Sequence, residues 1–246
     1  MMPALDIRLL KKSFGGLPVT SEVSFQVMPG ERRLIIGPNG AGKTTLFNLI
    51  TGDLSSDSGS IHLFGTDVTR LATHQRTQLG MARTYQIITL FNKDTLLHNV
   101  VLSLLGLNSV RWNPWVSLAR MSHFESQAMQ VLKLVGLANL AHRPISAVAY
   151  GDKRRLEIAM AMAQKPKLLL LDEPLAGLSR EERVRVSELV SSIPRDTTVV
   201  MIEHDMDTAL ELADKLLVLH YGKLIVEGPR DEVIHDQRTK EVYLGT

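Results

Sequence analysis

The chain has 246 residues, no cysteine, and 28 Lys+Arg against 26 Asp+Glu, a formal net charge of +2. So near-neutral a balance provides no field for nucleic acid, and the missing cysteines exclude disulfides and thiol chemistry. Hydrophobic residues make up 44% and charged residues 22%, enough for a full core in one large domain or one domain carrying an inserted lobe.

Met1 to Lys12 carries Asp6 and Arg8 and has no long apolar core, so it does not read as a signal peptide. No window approaches ~20 uninterrupted apolar residues, so no membrane span is expected. Leu5–Leu9 and Val23–Val27 alternate apolar and polar as half-buried strands do, with Gly15-Gly16 and Pro29-Gly30 as turns.

The apolar run Leu34-Ile35-Ile36 leads into Gly37-Pro38-Asn39-Gly40-Ala41-Gly42-Lys43-Thr44-Thr45, and Leu46–Ile50 then reads as a helix. In that strand, loop and helix context a G-x-x-x-x-G-K-[ST] pattern is a polyphosphate cradle. The glycines let backbone N–H groups crowd the phosphates, and the helix adds the positive end of its dipole. Lys43 is expected to reach the β- and γ-phosphates and the Thr44 hydroxyl to ligate Mg²⁺. The pattern predicts binding of a nucleoside triphosphate, and with the bulk properties a cytoplasmic ATP-user.

Gly52–Gly59 reads as a loop, Ser60–Phe64 as a strand and Ala72–Leu79 as a polar helix. From about Phe91 to Arg143 the character turns helical, with Phe124, Ala128, Val131, Leu132 and Val135 on one face and Trp112 and Trp115 in a broken stretch. This is expected to be an inserted helical lobe. The α/β rhythm resumes with the apolar runs Leu168–Leu171 and Thr198–Ile202, a helix over Glu181–Ser191, and a hairpin turning at Tyr221-Gly222. Continuous apolar strands separated by helices predict an α/β fold with a mainly parallel sheet covered on both faces.

Asp172 and Glu173 end the strand at 168–171, on the sheet edge where ligands bind. Asp172 suits Mg²⁺, directly or through water, and Glu173 suits polarisation of the attacking water. His204 follows the strand at 198–202; a lone histidine is more often structural, so its role rests on what surrounds it.

Five further segments occur in the order seen in ATP-binding subunits of ABC transporters. Phe14 resembles the aromatic that stacks on adenine, and Arg83-Thr84-Tyr85-Gln86 resembles the Q-loop. Val148-Ala149-Tyr150-Gly151-Asp152 occupies the place of the signature segment, Leu175–Ser179 resembles the D-loop, and His204 matches the switch histidine. The resemblance covers essentially the whole chain. It implies a P-loop NTPase core with an antiparallel β subdomain, at about 1–88 and 157–246, and a helical lobe at about 89–156. It further implies ATP and Mg²⁺ as cofactors and two subunits closing over two ATP molecules. Thr44, Gln86 and Asp172 would then serve the metal, Glu173 would act as base, and Lys43, Gln86 and His204 would assist. The nucleotide would be held by Phe14, Gly37, Pro38, Asn39, Gly40, Ala41, Gly42, Lys43, Thr44 and Thr45, and by Ala149 and Gly151 of the opposing subunit.

Tyr150–Ala159, Ile202–Asp207 and the ending Val242-Tyr243-Leu244-Gly245 look like the ATPases of branched-chain amino-acid importers. That implies permease subunits, a periplasmic-type binding protein as an indirect partner, and a peripheral place on the cytoplasmic face of the inner membrane. ATPases for urea, amides or lipopolysaccharide share much of this, and a non-transport ABC ATPase is a further alternative. A GTPase would carry N-K-x-D; Asn92-Lys93-Asp94 lacks the intervening residue. A non-hydrolysing regulatory subunit fits Ala149 but not the pair Asp172 and Glu173.

The signature segment departs from the usual L-S-G-G-Q. Ala149 stands where a serine hydroxyl is usual and Asp152 where glutamine is usual. Asp152 reads as the N-cap of a helix starting at Lys153, leaving Gly151 and the following N–H groups available. A second ATPase subunit is implied, a copy or a relative, and the altered signature favours a different subunit with a fuller one.

Overall fold

The computed structural model describes residues 1–85, 90–106, 118–204 and 206–244. The chain divides into two compact units: Met1–Arg83 with Lys167–Ala176 and Ile193–Thr246, and Thr84–Pro166 with Gly177–Ser192.

The first unit holds two sheets. Strands β1 (Leu5–Phe14), β2 (Leu17–Val27), β4 (Ser58–Leu63) and β5 (Thr66–Asp67) form an antiparallel sheet in the order β2-β1-β4-β5. The second sheet runs β10-β9-β3-β8-β7-β6, from β10 (Lys223–Pro229), β9 (Lys215–His220), β3 (Arg32–Ile36), β8 (Thr198–Ile202), β7 (Leu168–Asp172) and β6 (Met81–Arg83). All of its pairings are parallel except the hairpin of β9 and β10. β3, β7 and β8 are buried at every position, as strands covered on both faces must be. Helix α1 (Lys43–Thr51) packs Leu46, Phe47, Leu49 and Ile50 into the core they share with both sheets. Shorter helices α2 (Thr73–Gln78), α7 (Met206–Glu211), α8 (Arg230–His235) and α9 (Gln237–Leu244) complete the unit.

The alternation predicted for Val23–Val27 holds, but that for Leu5–Leu9 does not. Leu5, Asp6 and Ile7 are all buried, while Leu9 is exposed at φ 46°. A bulge turns Leu9 out: the pairing with β2 shifts between Ile7 and Leu10. Asp6, covered by Arg8 on the same face of the strand, accepts hydrogen bonds from Arg8 Nε and Nη2 at 2.9 and 2.6 Å, which hold its carboxyl below the usual range despite some burial.

The second unit is helical: α3 (Leu96–Gly106), α4 (Leu118–Leu134), α5 (Tyr150–Ala163) and α6 (Arg180–Ser191), with 3₁₀ turns at Ala138–Leu140 and Ile145–Ala147. Phe124, Ala128, Leu132 and Val135 are buried in its core, as their spacing predicts, and Val131 packs partly buried against them. Trp112 and Trp115 lie outside the described residues. No described helix is long and apolar enough to cross a membrane.

Candidate nucleotide-binding and hydrolysis site

In the first unit, β3 delivers the glycine loop and α1 leaves it. Gly37 sits at φ 152°, and a Cβ there would lie 2.1 Å from the carbonyl oxygen of Leu219. Gly42, the N-cap of α1, sits at φ 99°, where a Cβ would fall 2.5 Å from the carbonyl of Val19. Only glycine fits either position, so the loop stays as bare backbone. Pro38 is half-buried, Asn39, Gly40 and Thr44 are exposed, Ala41 is buried and Thr45 is half-buried. Lys43 is buried, and its ammonium donates to the carbonyls of Gly37 at 2.7 Å and Pro38 at 3.0 Å. Burial pushes the ammonium below its ordinary 10.5, with the carboxylates of Glu173 and Asp172 working against that shift. A bare-backbone loop around a partly desolvated cation fits a polyphosphate.

The adjacent strand ends supply the acids. Asp172, 1% exposed, closes β7 and accepts from Arg83 Nη2 at 2.7 Å. Glu173 follows at φ 48°, a left-handed conformation rare for a residue with a Cβ, and its N–H extends the ladder to the carbonyl of Ile202 at 2.9 Å. Strain of that kind concentrates where a side chain must be aimed. Glu173 Oε1 lies 2.6 Å from Nε2 of His204, just beyond β8. Glu203, 2% exposed, braces both: Oε1 accepts from the Leu175 N–H at 2.6 Å and Oε2 from the His204 N–H at 3.1 Å. The Thr44 hydroxyl and Asp172 carboxylate are hard oxygen donors, the set that suits Mg²⁺ beside phosphate oxygens.

Phe14 ends β1 about half exposed, with Lys12 Nζ 5.7 Å from its ring centre. Gln86 lies outside the described residues, as do Asp205 and Gly245. Tyr243, near the end of α9, has its phenol pushed up to about 12 by burial, opposed by a hydrogen bond from the Gly37 backbone.

In the second unit the signature segment corrects one expectation. Helix α5 starts at Tyr150 with Ala149 as N-cap, so Asp152 is not the cap but a first-turn residue paired with Arg155. There it favours the positive helix end. Ala149 is exposed and offers no capping side chain. The Gly151 N–H, expected to be available, donates to Glu182 Oε1 at 3.1 Å. Glu182 also accepts from the Ser179 N–H at 2.9 Å in the capping box that starts α6. Tyr85 is held by α5: its N–H donates to Glu157 Oε1 at 3.0 Å, and its carbonyl accepts from Arg154 at 2.9 Å.

Glu203, Arg83, Glu182 and the Arg154–Glu157 pair were not singled out by sequence reasoning. A charged residue ending or following a buried strand was the available signal for Arg83 and Glu203; the other contacts carry none.

The family model described as ABC transporter matches residues 20–176. The chain is 33% identical over 252 residues to the high-affinity branched-chain amino acid transport ATP-binding protein LivG of Escherichia coli (strain K12), covering 99% of this chain and 98% of that one. It is 33% identical, with the same coverage, to the corresponding protein BraF of Pseudomonas aeruginosa. Among solved structures it resembles a nucleotide-free ATP-binding cassette from an ABC transporter, with TM-score 0.87, 29% identity and full coverage of both chains. The ADP conformation of an ATP-binding cassette of an ABC transporter matches at TM-score 0.84 and 28% identity, again over both full chains. The glycine loop, the paired acids and His204 thus stand in a chain that belongs to the ABC transporter family, as one of its ATP-binding subunits.

Proposed function

We propose that this chain hydrolyses ATP to power import of branched-chain or other hydrophobic amino acids through a membrane permease. The contact that carries the hydrolytic part is His204 Nε2 against Glu173 Oε1 at 2.6 Å, beside the strand end that bears Asp172. The solute class rests on likeness to LivG and BraF over 99% of the chain.

Lys43 gives its ammonium to the phosphates, exchanging two loop carbonyls for charged oxygens. Phe14 stacks on the base. Pro38, Asn39, Ala41 and Thr45 complete the loop, whose N–H groups surround the phosphate chain. Thr44, Asp172 and Gln86 would hold Mg²⁺, which would supply positive charge to the phosphate oxygens. Glu173 takes the proton of the attacking water, and His204, fixed by Glu203 through its backbone, orients Glu173 through Nε2.

Ala149 and Gly151 serve the nucleotide of an opposing subunit, for which Glu182 releases the Gly151 N–H. Ala149 lacks the hydroxyl usual there, and a lost hydrogen bond to a charged group costs about 1.5–3 kcal/mol. This chain therefore pairs with a different ATPase that carries a fuller signature, leaving two unequal sites. The whole chain, 1–246, works as one cassette, peripheral on the cytoplasmic face of the inner membrane, and its helical lobe receives the permease.

The test is affinity purification of tagged protein from its native membranes. Two polytopic permease subunits and a second ATPase are the expected partners. Recovery with ribosomes or repair factors and no permease refutes the transport reading. Glu173→Gln placed in each ATPase subunit separately should cost unequal fractions of turnover; equal losses refute the unequal sites.

A further inference from the structure

Arg83 ends β6, whose register places it opposite Leu170 of β7, so it emerges at the sheet edge that carries Asp172. Its side chain is 5% exposed. Nη2 donates to Asp172 Oδ2 at 2.7 Å. Nη1 donates to Asn48 Oδ1 at 2.7 Å, Asp53 Oδ2 at 3.1 Å and Thr51 Oγ1 at 3.3 Å. The guanidinium carbon lies 5.6 Å from the ring centre of Phe47. Every α1 contact comes from the helix, or the turn after it, whose first residues are Lys43 and Thr44.

One planar group therefore joins the end of the phosphate-loop helix to the acid closing β7. Its single charge is shared between two carboxylates, Asp53 and Asp172, so the trio keeps a net negative charge that still favours a cation. What Arg83 adds is geometry. A buried carboxylate at a strand end has two rotamer freedoms, and a fork bonded to α1 removes them in register with Thr44.

We propose that Arg83 is a positioning residue for the metal: it fixes the Asp172 carboxylate relative to α1 so that Asp172 and Thr44 present their oxygens together to a divalent cation on ATP. This rests on the reading of the loop as an ATP site, and it assigns Arg83 no contact with nucleotide. Groups that orient a metal ligand typically change metal affinity by about 10- to 100-fold when removed. A rival role, in which Arg83 competes with the cation for Asp172, has the opposite sign.

The experiment uses Arg83→Met, which keeps an apolar stem against Phe47, and Arg83→Lys. Binding of a fluorescent ATP analogue in EDTA reads the loop alone, and Mn²⁺ titration of the ATP complex by electron paramagnetic resonance reads the metal site. Arg83→Met should bind metal-free nucleotide within about twofold of wild type and lose about tenfold or more in Mn²⁺ affinity, with partial recovery in Arg83→Lys. Unchanged or tighter Mn²⁺ binding overturns the proposal. If wild type binds nucleotide neither in EDTA nor with Mn²⁺, the ATP-site reading fails instead. Should Arg83→Met not fold, Asn48→Ala, Thr51→Val and Asp53→Ala together remove the α1 end of the tie while keeping the pair with Asp172. Loss of Mn²⁺ affinity there supports the proposal, and its preservation overturns it.

Discussion

His204 Nε2 stands 2.6 Å from Glu173 Oε1, two side chains carried by the ends of parallel neighbouring strands, β8 and β7. With Glu173 ionised, Nε2 must carry the proton, so the histidine donates and the carboxylate remains a base. Glu203 fixes this arrangement from behind through the backbone of His204 and of Leu175. In the proposed mechanism the pair divides the labour of hydrolysis between a base and the group that aims it.

Glu173→Gln should therefore lower the turnover rate by about 10²- to 10⁴-fold, the usual worth of a general base, while ATP still binds. His204→Ala should also depress turnover with little change in ATP affinity. Single-turnover hydrolysis alongside equilibrium ATP binding separates these effects. Normal turnover in Glu173→Gln would remove Glu173 from the mechanism.

Burial lowers the Lys43 ammonium from 10.5, against the pull of Glu173 and Asp172. Between that lowered value and 10.5 the unfolded chain binds more protons than the folded one, so Lys43 makes stability rise with pH in that window. Phosphates beside Lys43 favour its charged form, so ATP binding takes up a proton there and weakens as pH climbs through it. Calorimetric titration in buffers of different ionisation heat should show the uptake, and Lys43→Met should abolish it while costing most of the affinity.

Arg154, fully buried, donates to Glu157 Oε2 at 2.6 Å, and both hold the Tyr85 backbone. Arg154→Met leaves a carboxylate without its cation, a loss of roughly 3–5 kcal/mol in stability. Adding Glu157→Leu removes the stranded charge and should recover part of that loss. Urea denaturation of the single and double variants measures it; strictly additive losses would mean the two side chains act independently.

What was legible in the sequence were features that repeat locally or are forced by backbone sterics. Gly37 and Gly42 could be read because no other residue fits their turns. The strands ending at Asp172 and Ile202 could be read because burial on both faces demands unbroken apolar runs. The helical face of Phe124, Ala128 and Leu132 shows its period directly. What escaped were pairings set by the fold. Arg83 lies 89 residues from Asp172, and Glu182 lies 31 from Gly151. Asp152 was misplaced as an N-cap because its residue type suits a cap; α5 nonetheless begins at Tyr150, on an alanine.

The central claim is that ATP hydrolysis by this chain drives amino-acid import. The most direct measurement is uptake of radiolabelled leucine in cells lacking the chain, complemented with wild type or with Glu173→Gln. Uptake should fall without the chain, return with wild type and stay absent with Glu173→Gln. Uptake unaffected by the deletion, or restored by Glu173→Gln, would contradict the account.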